Sequence, residues 1–343
     1  MTSTTVGQVG HLDDATLRKL QAGCNFINAE VAKARGKMLN VGIVAALVAA
    51  AVVGYLIASA DTPPDDGWGS LLSSPFIFGA FAAVAYGGRV RRRLASDYKR
   101  IVVGRIVTAL GQGLKYSPTS RLTKQDFQQM DLFEKRVEKW QAEDEVAGVK
   151  NGVTYTLHEA TATRTEGSGK KRREVTIFRG LIVRLDFNKH FGGHTIVVPH
   201  GETKVLGLFG ESENRRQKEL VSLENVDFEA QYSVYSTDQQ EARYLLTPKM
   251  MELIMEARAL FTSPMSGAQA FLMSALSPPH PRLCFRDSSV YVTVWSHQNR
   301  FEISLLGPKV KPETVAGEFA ELIKLAERLI ETLQLETRIW SRA

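Results

Sequence analysis

The chain has 343 residues, 44% of them hydrophobic and 23% charged, with a formal net charge of +6. That length allows about two domains of ordinary size, and the polar sequence after residue 88 can bury a core of its own. Cys24 and Cys284 flank an apolar N-terminal region, and neither stands in a CxxC or Cys/His zinc spacing, so a disulfide framework is excluded and a reducing compartment fits.

In residues 1–37, Leu17, Leu20, Cys24, Ile27, Val31 and Ala34 recur at steps of three and four, the seam of an amphipathic helix. Two uses of that seam stay open: packing on its own protein, or self-association into a homo-oligomer through residues 17–34. From Leu39 to Ala60 the chain carries no charge, and at 1.5 Å per residue it is long enough to cross a hydrocarbon core of roughly 30 Å. A cleaved signal peptide would begin nearer the N-terminus. A second uncharged run, Leu71 to Gly88, is shorter and holds Pro75 near its start, where a missing backbone donor costs little. Two transmembrane helices, 39–60 and 71–88, are therefore expected.

Orientation follows from Lys and Arg. Arg18, Lys19, Lys33, Arg35 and Lys37 precede the first span, and Arg89, Arg91, Arg92, Arg93, Lys99, Arg100 and Arg105 follow the second. The connecting loop, Asp61 to Ser70, has neither residue but carries Asp61, Asp65, Asp66 and Trp68. The charge rule places both termini in the cytoplasm of a multi-pass membrane protein. Arg89, Arg91, Arg92 and Arg93 serve as a topology signal or as contacts for anionic lipid headgroups. Leu94, Tyr98, Ile101, Val102, Ile106 and Ala109 continue an amphipathic helix through residues 89–115.

Residues 116–343 read as a cytoplasmic α+β domain with a mixed sheet and covering helices, built as one body or as two lobes meeting near 262–282. Gly152–Arg164 and Val175–Asn188 are rich in strand formers, and the basic tip Glu166–Glu174 joins them. Further strands are expected at Thr195–Val198, Asp227–Tyr235, Ser289–Trp295 and Arg300–Leu305, the last two as a hairpin. Asp238 is placed to cap one helix, Thr247 and Pro248 start the next, and Pro312 opens the last. In that helix Val315, Phe319, Leu322, Ile323, Ala326, Leu329, Ile330 and Leu333 share one face.

Several fragments together resemble the bacterial family of domain of unknown function 3137: LKYSPTSRLTKQDFQQMDLF, AEDEVAGVKNG, FRGLIVRLDFNKHFGGHTIVVP, YSVYSTDQQEARYLLTPKMMEL and LQLETRIW. The resemblance spans about residues 95–340. Its most specific part runs from Asp238 through Glu241, Arg243 and Tyr244 to Thr247 and Pro248. It implies a bacterial source and a pair of membrane helices ahead of a cytoplasmic domain, with no activity established for the class.

No residue pattern fixes a chemistry, and no catalytic residue or cofactor is assigned. The metal candidates are His190, His194 and His200, with His158 and Glu159 upstream, but Gly192 and Gly193 interrupt the pair that a helix would have to align. Glu143, Asp144 and Glu145 read as a solvated turn before Gly148. The string GSGKK lacks phosphate-loop spacing. Lys170, Lys171, Arg172 and Arg173 have no recognition helix or aromatic face for nucleic acid beside them, so anionic lipid or an acidic partner suits them better. The reading is a membrane-anchored interaction or scaffold domain with a protein partner still to be named. Its alternatives are a membrane-tethered metal enzyme using His190, His194 and His200, and an anionic-lipid sensor. Asp238, Glu241 and Arg243 are read as structural.

Overall fold

The computed structural model describes residues 14–58, 68–111, 113–133, 135–187, 190–200, 218–261, 280–295, 305, 307 and 309–337. The chain divides into two compact units, Met1–Ala109 with Phe301–Ala316, and Leu110–Arg300 with Gly317–Ala343.

In the first unit, helix α1 (Asp14–Ala58) is continuous for 45 residues, roughly 68 Å at 1.5 Å per residue. Among the described residues it is the one helix long and apolar enough to cross a membrane by length and composition. Helix α2 (Trp68–Tyr98) keeps Pro75 inside its span and returns antiparallel to α1. Small residues set how closely they approach. A Cβ at Gly79 would lie 2.6 Å from the Gly42 carbonyl oxygen and 2.9 Å from the Ala46 Cβ. Gly42 faces Ala83, and Gly87 faces Met38. Gly79, Ala83 and Gly87 thus form a small-xxx-small stripe that lets two backbones pack almost in contact.

Beyond α2 the helix widens into a π-helical turn (Lys99–Val103) before α3 (Gly104–Leu110). The heptad seam of α1 is occupied within the chain. Leu20, Cys24, Ile27, Val31 and Ala34 are buried, and a Cβ on Gly23 would come within 3.0 Å of Ile101. The strap before the last helix is held to α1 by polar bonds. Asn28 donates to the Val310 carbonyl and accepts from its N–H, both at 2.9 Å, and Arg35 donates to the carbonyls of Leu305 and Gly307.

The second unit is built on one nine-stranded sheet. Its strands are β1 (Lys115–Thr119), β2 (Lys139–Lys150), β3 (Val153–Glu166), β4 (Arg173–Asp186), β5 (Thr195–Pro199), β6 (Glu219–Val221), β7 (Tyr232–Ser236), β8 (Arg282–Arg286) and β9 (Ser289–Trp295), in the order β1-β2-β3-β4-β9-β8-β5-β7-β6. Every pairing is antiparallel, so the expected mixed sheet is corrected: short connections join β2 to β3, β3 to β4 and β8 to β9, and antiparallel pairing needs no crossover helix. Asn151 and Gly152, both at positive φ (51° and 80°), make the β2–β3 turn, the conformation that suits a two-residue hairpin. Strands on both sides of residues 262–282 join this sheet.

Helices cover it: α4 (Lys124–Gln129), α5 (Val226–Glu229), α6 (Gln239–Leu245), α7 (Pro248–Phe261) and α8 (Pro312–Thr337). On one face, Phe127 of α4 meets Trp140 and Phe178 at ring distances of 4.8 and 5.6 Å, with Phe133 and Trp295 completing the aromatic cluster. Each such side chain stabilises the fold by roughly 1.5–3 kcal/mol when fully buried. On the opposite face Tyr155 donates to Glu327 of α8 (3.3 Å). Both faces being covered, β5 is buried along its whole length and shows no polar alternation. The apolar stripe of α8 is buried from Phe319 to Leu333, with Val315 partly so.

Three further expectations change. Residues Asp227–Tyr235 are divided between α5, capped by Asn225, and the shorter strand β7, because an Asx cap competes with extension. Strand β9 pairs with β8 across Asp287 and Ser288; the expected partner, Arg300–Leu305, lies outside the described residues apart from Leu305. The acids Glu143, Asp144 and Glu145 sit in β2 at a bulge between Glu143 and Val146, with Asp144 at φ 57°. Asp144 and Glu145 are buried, so this is no solvated turn. The bulge aims them inward, where Tyr116 donates to Asp144 at 2.5 Å.

Candidate functional site

Helix α4, the Phe191–His194 loop, the end of β8 and the stretches holding Asp131, Lys218 and Thr237, all in the second unit, meet around a cleft of about 670 Å³. Its organising group is Glu241, which the first turn of α6 carries inward. Asp238 caps that helix by accepting the N–H groups of Gln240 and Glu241, both at 2.9 Å. Glu241, 6% exposed, accepts the N–H groups of Gly192 (2.8 Å) and Gly193 (2.7 Å). A carboxylate seated on successive backbone donors fixes a loop as an anion fixes a nest. A Cβ on Gly193 would lie 2.8 Å from the Asp238 Cβ, which is why the approach needs glycine.

The loop so held presents His194. Its Nε2 lies 3.4 Å from both the Met130 carbonyl and the Cys284 Sγ. Burial first, then Lys218, pushes the imidazole down to about 4, so it is neutral at physiological pH. Burial drives the Cys284 thiol far above its ordinary range, and the pair is no thiolate–imidazolium dyad. Below them Lys218 bonds Asp131 at 2.5 Å, with side chains 3% and 5% exposed. At the rim Arg286 bonds Asp287 (3.1 Å) and the Gln129 carbonyl (3.0 Å).

The histidine triplet is not assembled into a ligand set. His190 is exposed, His194 turns inward, and His200 bonds Ser233 at 3.2 Å. Among the described residues no group of three His, Cys, Asp or Glu is placed to hold a metal ion. Of the other residues singled out, Arg243 bonds Gln239 of its own helix, Tyr244 is exposed, and Thr247 accepts the N–H of Met250 at 3.3 Å; Pro248 is the first residue of α7. Arg89, Arg91, Arg92 and Arg93 are exposed on α2. Lys170 lies in the 3-10 turn Gly169–Lys171, and Lys171, Arg172 and Arg173 are exposed around it.

A second polar cluster was hidden in the sequence because its members are far apart in it. Arg121 donates to Glu145 from its backbone and guanidinium at 2.6–3.0 Å; burial alone would raise the Glu145 carboxyl, but these bonds hold it below the usual range. His158, 2% exposed, is bonded by Ser120 at Nδ1 (2.9 Å) and Thr156 at Nε2 (2.8 Å). Burial drives its pKa down, Glu145 pulls partly back, and Arg184 and Arg121 lower it again, to about 4. It is therefore neutral, and its 3.8 Å approach to Glu145 is no ion pair at pH 7. An unfolded imidazole takes up a proton near pH 6.5, which the folded one refuses until about pH 4. The stability contributed is thus complete above pH 6.5 and falls by roughly 3 kcal/mol on descent to pH 4. Glu145 adds a loss only below pH 4.5. Thermal melts should lose His158's share of that slope in His158→Gln; an unchanged slope would count against this assignment.

Residues 176–335 match the model of a family described as protein of unknown function, DUF3137. The matched segment contains Glu241, the Gly192–Gly193 loop, His194, Lys218 and Arg286, while Asp131, Glu145 and His158 precede it. No curated protein matches the chain. A crystal structure of the mycobacterial trehalose monomycolate transport factor A is similar over 68% of this chain and 97% of that one, at 14% identity and a TM-score of 0.31.

Proposed function

We propose that this protein is a membrane-anchored scaffold: a helical hairpin embedded in the bilayer tethers an α+β domain that binds a protein partner in the cytoplasm. One observation carries the reading. The hairpin is apolar on its outside and small inside, the reverse of a water-soluble helix pair. Leu39, Ile43, Val44, Leu47, Val48, Val52 and Tyr55 of α1 are exposed, as are Phe76, Ile77, Phe78, Phe81 and Val84 of α2, with Tyr55 at 72% and Phe76 at 77%. Leaving such side chains in water forfeits roughly 1.5–3 kcal/mol each, whereas lipid solvates them and close packing of Gly and Ala joins the helices.

The cations favour both termini in the cytoplasm of a bacterial inner membrane, with Asp61, Asp65 and Asp66 outside. Arg89, Arg91, Arg92, Arg93 and the Lys170–Arg173 run are proposed contacts for anionic headgroups or an acidic partner. Self-association through residues 17–34 would require the buried α1 seam to open.

After alkaline carbonate washing the protein is expected in the membrane pellet, and recovery in the supernatant would refute embedding. Reporter fusions at Asp65 and at the C-terminus are expected outside and inside; a C-terminus found outside overturns the orientation.

A further inference from the structure

The cleft beside Glu241 has a chemical character that membrane anchoring does not use. Its charged groups are paired inside the protein: Lys218 with Asp131, Arg286 with Asp287 and the Gln129 carbonyl. The Gly192 and Gly193 donors, which would otherwise form an anion nest, are filled by Glu241. His194 is neutral. A charged ligand entering here would give up its hydration for counter-charges already engaged.

What remains is neutral hydrogen-bonding capacity. Gln125, Gln128 and Gln129 of α4 line the cleft and are exposed, and among the described residues their side-chain amides bond nothing. Each amide offers donors and an acceptor. Thr237 adds a hydroxyl already accepting the His194 N–H at 2.9 Å. Phe191 lines the cleft and is half-buried, packed edge-on against Phe187 and Phe285. The lining comes from α4, the Phe191–His194 loop, turns and the end of β8, which β5 and β9 pair on both sides; among the described lining residues no open strand edge is offered, so an extended peptide would find no backbone to pair with. The volume falls within the roughly 300–1,000 Å³ of small-molecule sites.

We infer that this cleft binds an uncharged polyhydroxylated ligand, of the size of one or two sugar rings, through the Gln125, Gln128 and Gln129 amides and the Phe191 ring. Hydroxyls match amides because both give and accept hydrogen bonds, and the C–H face of a sugar ring suits an aromatic side chain. The inference is independent of the membrane reading, since every group it uses lies in the second unit.

The test uses the full chain in lipid nanodiscs, with saturation-transfer NMR and calorimetry. Maltose and glucose are the neutral probes, glucose 6-phosphate and glucosamine their charged counterparts. Maltose is expected to bind, and the Gln125→Ala/Gln128→Ala double variant to weaken it at least tenfold without changing the melting temperature, because both side chains are exposed and make no contact the fold needs. Phe191→Leu should weaken it too, whereas Gln141→Ala, on β2, should not. No maltose signal up to about 10 mM, or equal binding by the double variant, overturns the site. Tighter binding of either charged sugar overturns the neutral-ligand assignment.

Discussion

Gly79→Leu should pull the α1–α2 hairpin apart. Even the first added carbon would lie 2.6 Å from the Gly42 carbonyl oxygen and 2.9 Å from the Ala46 Cβ, and the obstructing atoms are backbone and a methyl group with no rotamer to escape into. Overpacking a tight contact costs about 1–3 kcal/mol; against a backbone oxygen, with three further carbons to place, the upper end or more is expected. Gly54→Ala is the matched control, because a Cβ there meets nothing within 4 Å. Cysteine pairs placed at Met38 and Gly87 should cross-link efficiently in the parent and in Gly54→Ala, and several-fold less in Gly79→Leu. Equal cross-linking in all three would show that the helices do not meet at this stripe.

Asp131→Asn should destabilise the second unit by about 3–5 kcal/mol, the effect of removing one partner from a buried ion pair. The substitution removes the carboxylate 2.5 Å from the buried Lys218 ammonium. Asn is the informative substitution because Asp131 sits at φ 54°, a left-handed conformation that Asn tolerates and Ala resists, so charge is tested without backbone strain. Urea unfolding of the full chain in nanodiscs, followed by the fluorescence of Trp140 and Trp295, should show the midpoint fall. The double variant Asp131→Asn/Lys218→Met should recover much of the loss, since an apolar replacement of the whole pair avoids the stranded charge. A single variant as stable as the parent would mean that water reaches the pair and screens it.

Signals in the chain are legible where the physics is local. An uncharged run of sufficient length, the Asp238 and Thr247 caps, the proline that opens α8 and the apolar stripe along it depend on residues a few positions apart. The hairpin between β3 and β4 was visible for the same reason, as two strand-forming runs around a Gly-rich basic tip. The acids of β2 look like a solvated turn in sequence because their burial comes from a bulge and from Tyr116 and Arg121, which approach from 24 to 28 positions away. Glu241 is legible in the sequence as a structural residue but its partner is not, since the Gly192–Gly193 loop lies 48 positions upstream.

The sequence by itself determined the uncharged apolar runs, the distribution of Lys and Arg around them, the α+β class and most helix starts, all of which follow from side-chain hydropathy, charge and backbone preference at short range. Only the tertiary structure decided the antiparallel order of the sheet, the glycine contact that joins α1 to α2, the separation of His190, His194 and His200, and the pairing of every charge around the cleft. These depend on which distant segments share a surface. Nothing in a residue's neighbours along the chain records which partner neutralises its charge once water has been excluded.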